Sequence, residues 1–263
     1  MSGTNRSQAL TTGGPRIVLI EPQMAENIGA AARAMLNCGL TNLSLVDPRE
    51  AWSNEKAVAM SAGAARVLDA VRVHTRIEDA VADLQRVYAT SARPRDMIVR
   101  TLTPREAAAE IRADAGNDIK TGILFGPERS GLTNDQLTHA DTVISIPLNP
   151  AYASLNLAQA VLLVGYELSR TDFEDGASPP VDELPLPADK ADLESFLARL
   201  EAALEERNYF RTEGLRASMA RSLRTIFQRT GLSAQEVRTL HGVLTTLIEG
   251  WSGRSGKSED PHD

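Results

Sequence analysis

Short apolar runs alternate with longer segments of helical periodicity through the first 170 residues of this 263-residue chain. An apolar run that lacks alternation is typical of a strand buried on both faces, and such strands are typical of parallel sheets. The predicted strands are 16–20, 43–46, 70–73, 86–89, 122–125 and 142–146, and helices are predicted at 25–37, 76–85, 104–113 and 155–170. The pattern therefore predicts an α/β fold with a mostly parallel sheet.

The composition changes after Arg170, where a segment rich in Asp, Glu and Pro has no apolar period and is predicted to be a linker. Three helical patterns follow at 190–208, 212–228 and 233–251, and Ser233 with Glu236 forms a predicted capping box. The predicted organisation is a flexible tail at 1–14, an α/β domain at 15–171, the linker at 172–189, a small all-α domain at 190–251 and a disordered tail at 252–263.

The formal net charge of −7 excludes a generally basic nucleic-acid-binding surface, so any nucleic-acid contact needs a local patch. Residues 207–229 contain six arginines and one glutamate, a local excess of +5. This excess suits contacts to phosphates, which position a nucleic acid without reading its sequence. An arginine-rich, solvated face of a helical bundle explains it equally well.

Several functions are disfavoured by what the sequence lacks. The one cysteine, Cys38, cannot form a disulfide within the chain, and no apolar run approaches the length of a membrane span. The four histidines are scattered without metal-ligand spacing, so we expect no metal and no membrane association. The N-terminus also lacks a signal sequence, and we expect a cytoplasmic protein.

Residues 27–34 (NIGAAARA) enter a helix directly after the first predicted strand, where α/β sheets place ligands. Their spacing is not that of a dinucleotide-binding turn, and the chain has no complete G-x-x-x-x-G-K-Ser/Thr phosphate-binding loop, which disfavours an NAD or NTP enzyme. An alanine-rich packing helix with Arg33 as a surface cation remains the alternative.

Two further segments follow buried strands and contain residues that constrain the backbone. Residues 125–132 (FGPERSGL) lead from a strand into a short helix predicted to be capped near Thr133, and a tight turn with a solvated ion pair is the alternative there. Residues 146–157 (IPLNPAYASLNL) place two prolines, two asparagines and a serine before a long helix predicted to begin near Ser154. The second segment suits a binding loop that offers backbone groups to a ligand. The alternative there is that Asn149 is a turn residue and Asn156 a helix-entry residue.

Together, the segments 27–33, 126–132 and 146–157 resemble motifs one, two and three of the SpoU class of the SPOUT methyltransferases, in order. Residues 89–93 (ATSAR) and the helical C-terminal extension resemble the TrmJ branch of that class, which methylates a ribose 2′-hydroxyl in the tRNA anticodon loop. The resemblance extends over residues 16–251.

The resemblance implies a deep trefoil knot near the end of the α/β domain, although knots are almost absent from proteins in general. It also implies a homodimer whose site is completed across the interface, and a bent S-adenosylmethionine bound largely by backbone groups. The implied cofactor-binding residues are Thr90, Ser91, Ala92, Gly126, Glu128, Ile146, Ala153, Ser154 and Leu155.

The implied catalytic residues are Arg33, Ser154 and Asn156, and the implied RNA-binding residues are Asn27, Arg33, Arg129, Arg221 and Arg224. An arginine side chain holds its proton too firmly to act as a base, so we favour Arg33 as a cation that stabilises the alkoxide. The expected substrate is a pyrimidine ribose at anticodon-loop position 32 of tRNA. Methylation of rRNA, or RNA binding without catalysis, is the alternative.

Overall fold

In the computed structural model, which describes residues 12–52, 54–91, 99–170, 186–210 and 213–249, seven strands form one sheet. The strands are β1 (Arg16–Ile20), β2 (Leu43–Val46), β3 (Arg72–His74), β4 (Arg86–Thr90), β5 (Arg100–Leu102), β6 (Thr121–Phe125) and β7 (Thr142–Ile144). Their order is β3-β2-β1-β6-β4-β7-β5, and every neighbouring pair is parallel. The predicted α/β class and parallel sheet are confirmed.

Helices follow most strands and continue beyond the sheet. They are α1 (Ala25–Asn37), α2 (Glu55–Ser61), α3 (Ala65–Asp69), α4 (Ile77–Val81), α5 (Pro104–Gly116), α6 (Asn134–Leu137), α7 (Leu157–Ser169), α8 (Lys190–Glu206), α9 (Glu213–Gln228) and α10 (Ala234–Glu249). None of these helices in the described ranges has the length and apolarity that a bilayer crossing requires.

The central strands are covered on both faces, as their continuous apolar sequences predict. Residues of β1 that point to one side, Ile17 and Leu19, pack in a cluster with α1, α5 and α7. Val18 and Ile20 point to the other side and pack with α4 and α6. The period of two along a strand therefore divides the core into two layers.

Some predicted boundaries are wrong. The strand β5 and the short helices α2 and α3 were not predicted from the sequence, and β7 ends at Ile144 instead of residue 146. The helix predicted at 76–85 covers only Ile77–Val81, because residues 82–85 turn toward β4. The last helix of the α/β unit begins at Leu157 rather than near Ser154, since Asn156 is its N-cap residue.

The three C-terminal helices enclose a hydrophobic cluster of their own, in which Phe196 stacks edge-on against Phe227 at a centroid distance of 5.1 Å. The predicted Ser233–Glu236 capping box is confirmed, with Ser233 N–H donating to Glu236 Oε2 at 2.7 Å. Residues 172–185 of the predicted linker, and most of both predicted tails, lie outside the described residues.

The helical segment contacts the α/β unit at the start of α8. The buried Lys190 side chain donates to Asp141 and, at 2.9 Å, to Gln228 Oε1, while its backbone N–H donates to Leu84 O at 2.9 Å. Asp141 directly precedes β7, so this contact lies at the amino ends of the strands. It is on the opposite edge of the sheet from the loops that follow β4, β6 and β7.

Candidate active site

The carboxyl ends of β4, β6 and β7 lie side by side, and the loops that follow them enclose a cavity of about 770 Å³. A cavity of this size is within the range of small-molecule sites, roughly 300 to 1,000 Å³. Eight of the nine predicted cofactor-binding residues line it: Thr90, Ser91, Gly126, Glu128, Ile146, Ala153, Ser154 and Leu155. The ninth, Ala92, lies outside the described residues.

The end of β4 is held against its two neighbours. Thr90 donates its hydroxyl to Leu124 O at 3.1 Å, and the Ser91 N–H donates to Ile144 O at 3.1 Å. These two contacts join β4 to β6 on one side and to β7 on the other. The three strand ends therefore form a continuous floor for the cavity.

The loop after β6 forms one wall, and its shape depends on Gly126. A Cβ atom at this position would be 2.4 Å from the Leu132 nitrogen, which is too close for any side chain. The turn closes with a 2.9 Å bond from Gly131 N–H to Pro127 O, and Gly131 has a φ of 65°. Glycine tolerates both conditions because it has no side chain.

The loop after β7 forms the opposite wall. Asn149 stabilises its tip by accepting from Ala151 N–H at 3.0 Å through its side chain and from Tyr152 N–H at 2.8 Å through its carbonyl. Within the described ranges, no hydrogen bond engages the backbone N–H groups of Ile146, Leu148 or Leu155, which line the cavity. These groups can therefore donate to a ligand.

A chain of side-chain hydrogen bonds joins the three motif segments. Glu128 accepts from Gln23 N–H at 3.0 Å and from Asn27 Nδ2 at 2.7 Å. Asn27 Oδ1 accepts from Asn156 Nδ2 at 2.9 Å, and Asn156 Oδ1 accepts from Ala158 N–H at 2.9 Å. The sequence analysis assigned Glu128, Asn27 and Asn156 to three different tasks and did not predict that they are connected.

Arg33 is not among the residues that line the cavity, although Ser154 and Arg129 are. It is exposed on α1, and no hydrogen bond or ion pair joins it to the rest of the described chain. Gly29, one turn earlier, packs against α2, since a Cβ there would be 2.1 Å from Ala57 O. For Gly29, the interpretation as a packing residue therefore holds.

The two predicted RNA-binding arginines of α9 are both paired with carboxylates. Arg221 donates to Asp135 at 2.8 Å, and Arg224 donates to Glu194 at 2.7 Å and forms an ion pair with Glu201, also at 2.7 Å. Burial disfavours the charged form of Arg224, but these two glutamates outweigh it and raise its pKa. Much of the local positive charge counted in the sequence is therefore neutralised within the fold.

The cavity also contains residues that the sequence analysis did not name as site residues. Leu132, Leu148 and Phe125 supply apolar surface, and Asn134 at the start of α6 supplies a polar group. Leu132 and Leu148 lie inside the segments that the analysis singled out, so membership of these segments was the available signal. In the described ranges, no group of three His, Cys, Asp or Glu side chains is arranged to hold a metal ion.

Comparison with known protein families gives two adjoining matches. Residues 14–166 match the SpoU rRNA Methylase family, and residues 191–257 match the family described as the tRNA methyltransferase TrmJ, C-terminal domain. Among curated proteins, the tRNA (cytidine/uridine-2′-O-)-methyltransferase TrmJ of Yersinia enterocolitica is 38% identical over 235 residues, which cover 88% of this chain and 90% of the relative. The TrmJ protein of Salmonella choleraesuis is 36% identical and covers 91% and 98%.

Solved structures agree with these matches. The crystal structure of TrmJ from Z. mobilis superimposes with a TM-score of 0.82 at 43% identity, and covers 90% of this chain and 100% of that one. A probable methylase family protein from Haemophilus influenzae gives a TM-score of 0.58 at 34% identity, with coverage of 92% and 98%. The chain belongs to the SpoU methylase family, and within it to the branch of the TrmJ proteins.

Proposed function

We propose that this protein is an RNA 2′-O-methyltransferase that transfers a methyl group from S-adenosylmethionine to a ribose hydroxyl of tRNA. One observation carries the proposal: the segments that resemble SpoU motifs two and three line a single cavity at the carboxyl ends of the strands, and hydrogen bonds of Asn27 in motif one join it to both segments. The relatives named above act on cytidine and uridine of tRNA, which supports a pyrimidine nucleotide as the target. Anticodon-loop position 32 is the site that we propose.

The cavity has the chemistry that an adenosyl group needs. Ile146, Leu148 and Leu155 offer apolar side chains for a purine, and their unpaired N–H groups can donate to its edge. Glycine at 126 lets the two ends of the β6 loop pack closely against each other, which gives this wall its shape. When bound, S-adenosylmethionine supplies an activated methyl group on a sulfonium centre.

The residues of the chain would then prepare the ribose hydroxyl, which loses its proton as it accepts the methyl group. The Arg33 guanidinium can stabilise the developing alkoxide or hold an adjacent phosphate. Ser154 lines the cavity and presents an exposed hydroxyl, which suits contact with the ribose. Asn156 stands two residues further on, at the N-cap of α7.

A homodimer is part of the proposal, because Arg33 does not line the cavity of its own chain. The outer face of α7 exposes Leu162, Leu163 and Tyr166, the last with 56% of its surface accessible. Three large apolar residues on one helix are typical of a contact surface. A second copy packed there could bring its own Arg33 to the cavity.

The implied trefoil knot also belongs to the proposal. The strand β7 lies between β4 and β5, although both precede it in the chain. The segment that follows β7 then forms the cavity wall opposite the β6 loop. This return of the chain between earlier strands supports a threaded topology, whereas an ordinary doubly wound sheet would add strands at an edge.

The test is to titrate the protein with S-adenosylmethionine by calorimetry and to map ribose methylation in total RNA from a deletion strain. We expect binding of the donor, and loss of a 2′-O-methyl group from a pyrimidine of the tRNA anticodon loop. Tight RNA binding without any donor binding would instead favour a non-catalytic RNA-binding protein. Loss of a 2′-O-methyl group from rRNA would instead show that rRNA is the substrate.

The dimeric site has a separate test that uses two inactive variants, Arg33→Ala and Ser154→Ala. If each site takes Arg33 from one copy and Ser154 from the other, a mixture forms heterodimers with one intact site and recovers roughly a quarter of the activity. Each variant alone serves as the control. No recovery after subunit exchange would contradict a shared site.

A further inference from the structure

Glu128 lies at the start of the hydrogen-bond chain described above, and we propose that it is a positioning residue rather than a ligand of the methyl donor. It would act through Asn27 to fix the orientation of the Asn156 side chain. The inference rests on the proposed function, because it assigns a task within the same site. It changes the expected task of Glu128, and it gives Asn27 a task beyond RNA contact.

The Glu128 carboxylate determines the orientation of the Asn27 amide that it contacts. An ionised carboxylate accepts hydrogen bonds and cannot donate them. The two oxygens of Glu128 accept from Gln23 N–H at 3.0 Å and from Asn27 Nδ2 at 2.7 Å. Asn27 must therefore direct its NH₂ group toward Glu128, and its carbonyl oxygen faces the other way.

The orientation of Asn27 then determines that of Asn156. Because Asn27 Oδ1 can only accept, Asn156 must direct its NH₂ group toward it, and the two atoms are 2.9 Å apart. The remaining oxygen of Asn156 accepts from Ala158 N–H at 2.9 Å and caps α7. A reversed Asn156 amide would lose both bonds, so the chain selects one orientation.

This chain also connects parts of the sequence that are otherwise distant. Glu128 lies in the loop after β6, Asn27 in the first turn of α1, and Asn156 at the start of α7. In the described chain, no cation pairs with Glu128, and both of its oxygens are already engaged by protein donors. Glu128 therefore connects the loop after β6 to α1 and, through Asn27, to the start of α7.

Variants that exchange the acid and the amide at positions 128 and 27 test which group donates and which accepts in these hydrogen bonds. In Glu128→Gln, an NH₂ group replaces one acceptor and faces either Asn27 Nδ2 or Gln23 N–H. In Asn27→Asp, a second carboxylate faces Glu128 and the donor to it is lost. In the double variant, Gln at 128 can accept from Gln23 N–H and donate to Asp at 27, which can also accept from Asn156 Nδ2. The double variant therefore restores every bond.

We expect each single variant to lower kcat by on the order of 10²-fold, because a misoriented Asn156 side chain disturbs the reacting geometry. The affinity for S-adenosylmethionine and the KM for tRNA should change little. The double variant should recover most of the lost kcat, which is the pairwise coupling that a double-mutant cycle measures. Melting temperatures of all three variants separate a local defect from a failure to fold.

Glu21→Gln is the matched control. Glu21 follows β1 at the same edge of the sheet and also accepts from a side-chain amide, Gln136 Nε2 at 2.7 Å, but it has no link to Asn156. Its kcat should stay at the wild-type value. A similar loss in this variant would show that any carboxylate change at this edge is harmful, and would overturn the proposal.

Two other outcomes would also overturn it. If Glu128→Gln weakens the binding of S-adenosylmethionine as strongly as it lowers kcat, and the addition of Asn27→Asp restores no activity, Glu128 contacts S-adenosylmethionine directly. If both single variants turn over normally, the chain has no role. A wild-type protein that methylates no RNA would refute the proposed function instead, whereas the side-chain ¹⁵N-amide signals of Asn156 in the variants would still test the orientation.

Discussion

Three exposed arginines of the α/β unit differ from two arginines of α9 in what they contact. Arg33, Arg49 and Arg129 have no hydrogen bond or ion pair from their side chains within the described ranges, and all three are exposed. Arg221 and Arg224 are bound by carboxylates of α6 and α8. Local charge counted along a sequence therefore does not show where a fold leaves positive charge available for a polyanion.

Arg49 is included because its backbone contacts the turn after β1. It lies in the loop after β2, where its N–H donates to Pro22 O at 3.2 Å, next to the Gln23 N–H that binds Glu128. The loops that carry Arg49 and Arg129 thus contact the same turn after β1. The comparison predicts that the free arginines serve the reaction and RNA binding, and that the paired ones mainly stabilise the fold.

Replacement of Arg33 should have the largest effect. For Arg33→Ala we expect kcat to fall by about 10²- to 10³-fold, since one group that stabilises transition-state charge is removed. Donor affinity by calorimetry should stay close to the wild-type value. Arg33→Lys, the charge-preserving control, should retain more activity than Ala. Near wild-type turnover of Arg33→Ala would remove Arg33 from the mechanism.

Replacement of Arg224 should have the second-largest effect, and we expect that effect on the stability of the fold rather than on activity. Arg224→Ala leaves Glu194 and Glu201 without their shared cation at a largely buried position, and we expect a loss of about 1 to 3 kcal/mol in the free energy of unfolding. Arg221→Ala is the control, because Asp135 is 75% exposed and such pairs contribute below about 1 kcal/mol. Urea denaturation measures both, and equal losses would contradict the distinction.

The free arginines should affect RNA binding by smaller factors. For Arg49→Ala and Arg129→Ala we expect a few-fold weaker tRNA affinity, and a salt dependence reduced by about 0.7 to 0.9 in log–log slope for each residue. Arg72→Ala is the matched control, since Arg72 is exposed at the opposite, amino end of β3. Charge reversal at Arg221 could instead weaken tRNA binding more than Arg129→Ala does. The RNA-binding role predicted for the arginines of α9 would then be right, and the distinction between free and paired arginines would be wrong.

The smallest effect should be a pH dependence from His139, at the contact between α6 and the helical segment. Burial lowers the pKa of His139, although Glu78 and Glu194 oppose the shift, and Arg224 and Lys190 reinforce it. A lowered pKa means that the unfolded chain takes up a proton first as the pH falls below about 6.5, so stability is lost on acidification. The melting temperature of His139→Gln should fall less between pH 7 and pH 5 than that of the wild type.

The outcome of that comparison is clear if both proteins are measured in the same buffers. An identical decrease in the two proteins would show that other groups, such as the Asp83 carboxylate whose pKa Arg16 lowers, cause the acid sensitivity. A larger decrease in His139→Gln would contradict the sign of the shift.

The sequence predicted the central sheet well because its strands have continuous apolar runs. It missed β5, whose residues Arg100 and Thr101 are exposed at the sheet edge and have no apolar run. It also placed the start of α7 near Ser154, because the N-cap role of Asn156 depends on a hydrogen bond that only the folded loop shows.

The resemblance to the SpoU methyltransferases implied eight of the residues that line the cavity, and these residues lie at or after the carboxyl ends of β4, β6 and β7. The partners of Glu128 and Arg221 could not be predicted. Glu128 contacts Asn27 across 101 positions of the chain, and Arg221 contacts Asp135 across 86. Such pairs depend on strand order and helix docking, which periodicity does not determine.

The position of β7 between β4 and β5 has a consequence for biosynthesis. The cavity walls come from residues between Thr90 and Ala160, and β7 cannot pair with β4 until it has left the ribosome. A nascent chain therefore has no complete cavity until more than half of it has been made, and these distant pairings are expected to form slowly. Because a ligand stabilises only the state that binds it, the methyl donor would favour the finished domain over every shorter intermediate.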